Sequence, residues 1–279
     1  MLRATVILIL LCLTIGPSYG QKKKKVDNDE IEDKIVGGST GLISDYPFIV
    51  SIQRRDVHQC GGSIIKPSLI LTAAHCIAVF AKSAISGISV RAGATIWSQG
   101  GQQVKVKKMI PHPLYESTTN GYDIGFLVLE KPLEFDDTVQ PITLATKIPA
   151  GNKEGRILGW GLKKEKADVI PSMLQVARVM SISRARCASE EFGYSDDIKD
   201  TMICAQNPGV DACQGDSGGP YVSWNSTTNK PDKLVAVTSF GKGCGRKDYP
   251  GVYTALAAVS KWIQKIIDQV DSFKEHVEA

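Results

Sequence analysis

No Cys-x-x-Cys pair occurs in the 279 residues, although seven cysteines are present. A structural zinc site therefore lacks its usual ligand spacing. The chain also lacks an apolar run of the roughly 18 residues that a bilayer-spanning helix requires. Its longest run, Val6 to Leu13, is interrupted at Thr14, Gly16 and Pro17. There is no internal repeat, and no low-complexity segment follows residue 34. An excess of one charge is missing too. Lys and Arg number 33 against 29 Asp and Glu, a net charge of +4, with no basic stripe of the kind that tracks nucleic acid. Between Val90 and Val106 there is no Asp or Glu, so no carboxylate-built calcium loop is expected there.

What is present begins with an export signal. Arg3, the apolar core Val6 to Leu13 and the small-residue stretch Ser18-Tyr19-Gly20 predict a secretory signal over residues 1–20, and hence a secreted, extracellular protein. An oxidising destination suits disulfides. Cys12 falls within the signal, leaving Cys60, Cys76, Cys187, Cys204, Cys213 and Cys244, whose fifteen pairings the sequence alone leaves open. Residues 21–34 are polar and charged: Lys22 to Lys25, then Asp27, Asp29, Glu30, Glu32 and Asp33. Such composition predicts a solvated tail without a packed core. The Lys22–Lys25 run is read as solubilising rather than as a recruitment site. The 245 residues after Lys34 carry 27 basic and 24 acidic side chains, and they are numerous enough to bury a large core.

In that region short apolar runs alternate with Gly, Pro, Asn and Asp. Examples are Phe48–Ile52, Ile88–Arg91, Val104–Val106, Ile124–Leu129 and Lys233–Phe240. Val- and Ile-rich runs with regular turn signals predict an all-β domain pair. One helix stands out, because Trp262, Ile263, Ile266, Ile267 and Val270 recur at helical spacing. This stripe is expected to dock on the second half of the domain rather than on a partner or a membrane. Residues 271–279 are expected to fray as a C-terminal tail.

The chemistry concentrates in three motifs. Asp211-Ala-Cys-Gln-Gly-Asp-Ser-Gly-Gly-Pro220 places Ser217 in a glycine-rich turn where a carbonyl can approach backbone N–H groups. Thr72-Ala-Ala-His-Cys76 lies upstream and Tyr122-Asp-Ile-Gly-Phe126 lies between. Each residue alone has an ordinary reading: His75 as a core histidine, Asp123 as a strand-edge turn, Ser217 as a loop serine. Together, in the order His75, Asp123, Ser217, and with Ile35-Val-Gly-Gly38, they resemble the trypsin-like serine proteases over residues 35 to about 270. An α/β-hydrolase wants Gly-x-Ser-x-Gly with its histidine after the serine, and only His276 follows Ser217. An inactive relative acting as a binding protein would have lost one of the three residues.

The resemblance implies two antiparallel six-stranded β-barrels with the active site between them, and disulfides Cys60–Cys76, Cys187–Cys204 and Cys213–Cys244. It assigns Ser217 as nucleophile, His75 as base, Asp123 as its orienting carboxylate, and Gly215 and Ser217 as oxyanion donors. Ser239 matches a residue that hydrogen-bonds the triad aspartate. Asp211 matches the base of the primary pocket and Ala212 the position beside it, Gln214 is assigned to substrate binding, Gly241 and Gly251 match the glycines that leave the pocket open, and Tyr253 lines its floor. Phe240 stands where tryptophan is usual, and Ile77–Gly87 looks longer than in digestive trypsins. Substrates with Arg or Lys before the cut bond follow, and Ala212, lacking a hydroxyl, favours Arg.

Activation is implied by cleavage after Lys34, the new Ile35 amine pairing with Asp216. His58 matches a histidine that holds this aspartate in some precursors, with a surface histidine as the alternative. Expected partners are protein or peptide substrates, an activating trypsin-like protease and protein inhibitors. No cofactor, metal, nucleic acid or membrane span is expected, and the chain should be a monomer. Asn225-Ser-Thr227 is a glycosylation sequon.

Overall fold

The structure is a computed structural model that describes residues 38–81 and 85–275. The first half contains β1 (Ser39–Thr40), β2 (Ile49–Arg54), β3 (Val57–Lys66), β4 (Leu69–Thr72), α1 (Ala74–Ala81), β5 (Ile88–Ala92), β6 (Gln102–Pro111) and β7 (Gly125–Leu129). The second contains β8 (Glu154–Gly159), β9 (Gln175–Ile182), α2 (Arg184–Cys187), β10 (Met202–Gln206), β11 (Pro220–Asn225), β12 (Lys230–Phe240), β13 (Gly251–Ala255) and α3 (Ser260–Glu275). Strands β2-β3-β4-β7-β6-β5 close into one antiparallel barrel. A second closes through β8-β9-β10-β13-β12-β11, and β1 adds to the edge of β9. The protein is thus mostly β, two six-stranded barrels and a C-terminal helix.

The sequence pattern explains which side of each strand faces inward. In β6, Val106 is buried while its neighbours Lys105 and Lys107 reach solvent, the period-2 alternation of a half-buried strand. By contrast β13 (Gly-Val-Tyr-Thr-Ala) is buried throughout, as befits a strand inside a barrel against a second layer. The second barrel has its own core of Ile157, Val179, Ile203, Tyr221, Val235 and Tyr253.

Three disulfides are formed: Cys60–Cys76, Cys187–Cys204 and Cys213–Cys244, closing loops of 16, 17 and 31 residues. Each restricts the unfolded chain and contributes about 3 kcal/mol on a chain-entropy account.

At the C-terminus one expectation holds in part and one needs correction. The apolar stripe of α3 enters a core that the two halves share, with Leu158, Val222, Leu234 and Val237 of the second barrel in the same cluster. Ile263, Ile266 and Ile267 belong to this cluster, which also holds the first barrel's Ile64, Leu71 and Phe126. Trp262 packs against His112 and Phe126, with ring centroids 4.6 and 5.4 Å away. The helix therefore straps the end of the second half across the first. Order does not stop at Val270: α3 runs to Glu275, and Lys66 Nζ meets Asp271 Oδ2 at 2.6 Å. Among the described residues, no helix is long and apolar enough to cross a membrane.

Candidate active site

Strand register brings the first two site residues together. Thr72 of β4 pairs with Gly125 of β7, so His75, three residues beyond Thr72, and Asp123, two before Gly125, leave the same end of one strand pair. Asp123 is fully buried, and three donors converge on its carboxylate. His75 N reaches Oδ1 at 2.8 Å, His75 Nδ1 reaches Oδ2 at 2.7 Å, and Ser239 Oγ reaches Oδ2 at 2.5 Å. The carboxylate can only accept, so Nδ1 is the donor, and in the neutral imidazole that tautomer puts the free lone pair on Nε2. The Cys60–Cys76 bridge anchors the residue after His75 to β3.

Ser217 comes from the second barrel, in the turn leading into β11, and contacts across the cleft hold that turn. Gly61 N of β3 donates to the Ser217 carbonyl at 2.8 Å. Gly218 has φ +76°, and a Cβ there would lie 2.2 Å from Thr72 Oγ1 and 3.1 Å from Ala73 N. Only glycine allows this approach, and it sets Ser217 beside the segment that carries His75. Among the described residues no hydrogen bond yet joins Ser217 Oγ to His75 Nε2. Such bonds are often long without substrate and tighten when it binds. Gly215 has φ +100°. Neither Gly215 N–H nor Ser217 N–H donates to any described residue, so both are available to an incoming oxygen.

A cavity of about 180 Å³ connects Ser217 to Asp211 and includes Ala212, Gln214, Phe240 and Gly241 in its lining. Asp211 is 4% exposed, and its two oxygens accept from Ala212 N (2.8 Å) and Gly245 N (3.1 Å). Burial, the largest influence, raises its pKa to about 7 against those hydrogen bonds. A Cβ on Gly251 would lie 2.7 Å from both Asp211 Oδ1 and Tyr253 Oη, so this glycine keeps the floor open. Phe240 stands edge-on to Tyr194, 6.0 Å between centroids, giving its wall an aromatic backing.

Asp216 is 2% exposed. Its oxygens accept from Gly161 N (2.8 Å) and Cys213 N (2.9 Å), and burial raises its pKa to about 6. The expected contact with His58 is not made. His58 is not on the surface either: it is buried, with Nδ1 2.8 Å from Ser51 Oγ and Nε2 2.9 Å from the Gly215 carbonyl. Asp216 is met instead by the backbone N–H groups of Gly161 and Cys213. Lys34 and Ile35 lie outside the described residues.

Thr254 and Tyr115 were not singled out by sequence. Thr254 Oγ1 donates to the Asp123 carbonyl at 2.9 Å. The Tyr115 phenol is pushed up to about 12, first by burial and then by the Asp123 charge. Thr254 follows Tyr253 and alternation along β13 aims it to the other face; nothing local marks Tyr115. The one grouping of metal-type donors among the described residues is Cys60, His75 and Cys76, and its sulfurs are bonded to each other, leaving no thiolate.

Comparison with known proteins agrees with this geometry. The Trypsin family model matches residues 35–263. Trypsin alpha of Drosophila melanogaster is 42% identical over 234 residues, 84% of this chain and 88% of that protein. Over the same coverage, trypsin delta of Drosophila erecta is 41% identical and hypodermin-B of Hypoderma lineatum 40%. The family match over residues 35–263 and these relatives place this protein in the trypsin family as a trypsin-like serine endopeptidase, with the Ser217 turn held near a histidine–aspartate pair.

Proposed function

We infer that this chain is made as a secreted zymogen, is activated by cleavage after Lys34, and then cuts peptide bonds after Arg in preference to Lys. Asp211 carries the specificity reading. It is a buried carboxylate at the base of a cavity shared with Ser217, held by two backbone N–H groups and facing no cation among the described residues. A charge so placed is unfavourable until a guanidinium or ammonium enters. Ala212 offers no hydroxyl to a lysine ammonium, whereas an arginine fork can engage both Asp211 oxygens.

The reaction follows from the site. Ser217 Oγ attacks the substrate carbonyl carbon as its proton passes to His75 Nε2. Asp123 stabilises the imidazolium formed, and the carbonyl oxygen, now an oxyanion, accepts from Gly215 N–H and Ser217 N–H. The C–N bond then breaks as His75 returns the proton to the departing amine. Water repeats the sequence on the acyl-enzyme and frees Ser217.

Activation is supported by Asp216. Its carboxylate is buried with two neutral donors and an unmet need for positive charge. The Ile35 ammonium released by cleavage after Lys34 would supply that charge, and breaking such a pair costs about 3–5 kcal/mol. The activator would be another trypsin-like enzyme or the protein's own product. Asn225 ends β11 beside an exposed turn, a suitable place for a glycan.

Matched peptides with Arg, Lys or an uncharged isostere before the cut bond test this. The expected kcat/KM order is Arg, then Lys, then neutral. Ala212→Ser should narrow the Arg to Lys ratio. Asp211→Asn should reduce cleavage of basic peptides by roughly 10²–10⁴, corresponding to an unpaired buried cation. A preference for Lys, or for neutral peptides, would contradict the reading.

A further inference from the structure

The polar contacts of His58 continue well beyond its ring. Its Nε2–H donates to the Gly215 carbonyl and its Nδ1 accepts from the Ser51 hydroxyl, as a neutral imidazole must; burial lowers its pKa to about 4. Ser51 Oγ accepts from Gln53 Nε2 at 3.3 Å, and the same amide donates to the Trp97 carbonyl at 2.5 Å. Gln53, fully buried, accepts at Oε1 from Gln103 Nε2 at 3.1 Å. Gln103 Oε1 accepts from the Arg91 guanidinium at 2.7 Å. Every donor in this row points the same way, from Arg91 to the Gly215 carbonyl, so each bond polarises the next. The Gly215–Asp216 peptide lies between the two proposed oxyanion donors, so a bond that holds its carbonyl restrains the backbone that carries them.

The outer end of the row reaches the surface. A cavity of about 330 Å³ is lined by Arg55, Asp56, Ser89, Gln103 and Lys105, among others. Arg55 and Asp56 form the two-residue turn between β2 and β3, both with positive φ (50° and 62°), a geometry that fixes how they are presented. Neither the Arg55 nor the Lys105 side chain has a polar partner among the described residues. The buried Arg91 Nε nearby is also unpartnered among them. Gln103 Nε2 has two hydrogens but three acceptors: Asp56 Oδ1 at 2.7 Å, Ser89 Oγ at 3.0 Å and Gln53 Oε1 at 3.1 Å. The charged acceptor is the shortest, and it competes with Gln53 for the amide.

We propose that this cavity is an effector site for a small oxyanion, sulfate or phosphate, held by Arg55 and Lys105 and read at Gly215 through Gln103, Gln53, Ser51 and His58. An anion seated there repels the Asp56 carboxylate. Gln103 then donates fully to Gln53, and the row that holds the Gly215 peptide tightens. Because oxyanion donors act in the transition state, the effect falls on kcat rather than KM. The inference rests on Gly215 and Ser217 being those donors.

The test uses the chain cleaved at Lys34, with sulfate, and separately phosphate, exchanged for chloride at constant ionic strength. Saturable binding by calorimetry is expected, with a rise in kcat of about threefold on an Arg peptide and no change in KM. In the Arg55→Gln, Lys105→Gln double variant, binding and response both disappear, each judged against that variant's own anion-free rate. In Gln53→Leu, binding persists and the kcat response is lost; Gln103→Leu, altered at the surface, repeats this if the core change does not fold. Absence of saturable binding, a fall in kcat, or a response that survives both glutamine variants overturns the proposal. A cleaved chain inactive on Arg peptides would count against the catalytic reading instead. Coupling is then read from the Gly215 and Ser217 amide resonances, which move with sulfate in the parent chain and stay still in Gln53→Leu.

Discussion

Asp211 and Asp216 show how burial turns two carboxylates into parts with a direction. Their pKa values are raised from 3.8 to about 7 and about 6, desolvation first among the causes. Between about pH 4 and 7 the folded chain therefore holds protons that the unfolded chain has lost. Their contribution to stability is largest below pH 4 and is lost as pH rises through the folded values. For Asp211 this gives a binding prediction. A guanidinium or amidine ligand must expel the Asp211 proton, so binding at about pH 6 should release close to one proton, and at about pH 8 almost none. Calorimetry in buffers of different ionisation heat measures that number, and equal release at both pH values would contradict the assignment. Ser239 gives a second prediction. Its hydroxyl donates to Asp123, and a hydrogen bond to a charge contributes about 1.5–3 kcal/mol. Ser239→Ala should lower kcat by roughly ten- to a hundredfold with KM little altered, as steady-state kinetics would record.

Among the elements, α3 makes the clearest claim. Trp262 sits on His112 and Phe126, and His112 stacks on Tyr122, the residue before Asp123, at 4.7 Å. Trp262→Ala should cost about 3 kcal/mol, a fall in Tm of roughly 6–12 °C for a domain of this size. Disrupting the half-exposed Lys66–Asp271 pair should cost under about 0.5 kcal/mol. Thermal unfolding of the two variants separates these; equal losses would mean the helix is held by its charge pair. The helix itself was legible, because its stripe repeats locally. Its docking face was legible only in part, since an apolar stripe states that it will be buried without stating against what. The same division runs through the site. Gly215, Gly218 and Gly219 could be read because turn geometry and close backbone approach restrict those positions almost to one residue type. His58 was misplaced because a lone histidine carries no local sign of its partner, and Ser51 and Gly215 become its partners only once β2, β3 and the nucleophile turn are assembled.

At the scale of the molecule, neither barrel alone holds the proposed site. Of the proposed residues the first carries His75 and Asp123, the second Ser217, Ser239 and Asp211, and the turn between β10 and β11 is pinned to β3 across the cleft. Each half is braced within itself, Cys60–Cys76 in one, Cys187–Cys204 and Cys213–Cys244 in the other. The reaction centre therefore depends on how one short turn is set, and Asp216 is the buried charge within it. The most direct test is the rate at which one preparation hydrolyses an Arg peptide before and after cleavage of the Lys34–Ile35 bond. A rise of at least about a hundredfold is expected on cleavage, the effect of supplying a partner worth about 3–5 kcal/mol. An intact chain that hydrolyses the peptide as fast as the cleaved one would contradict it.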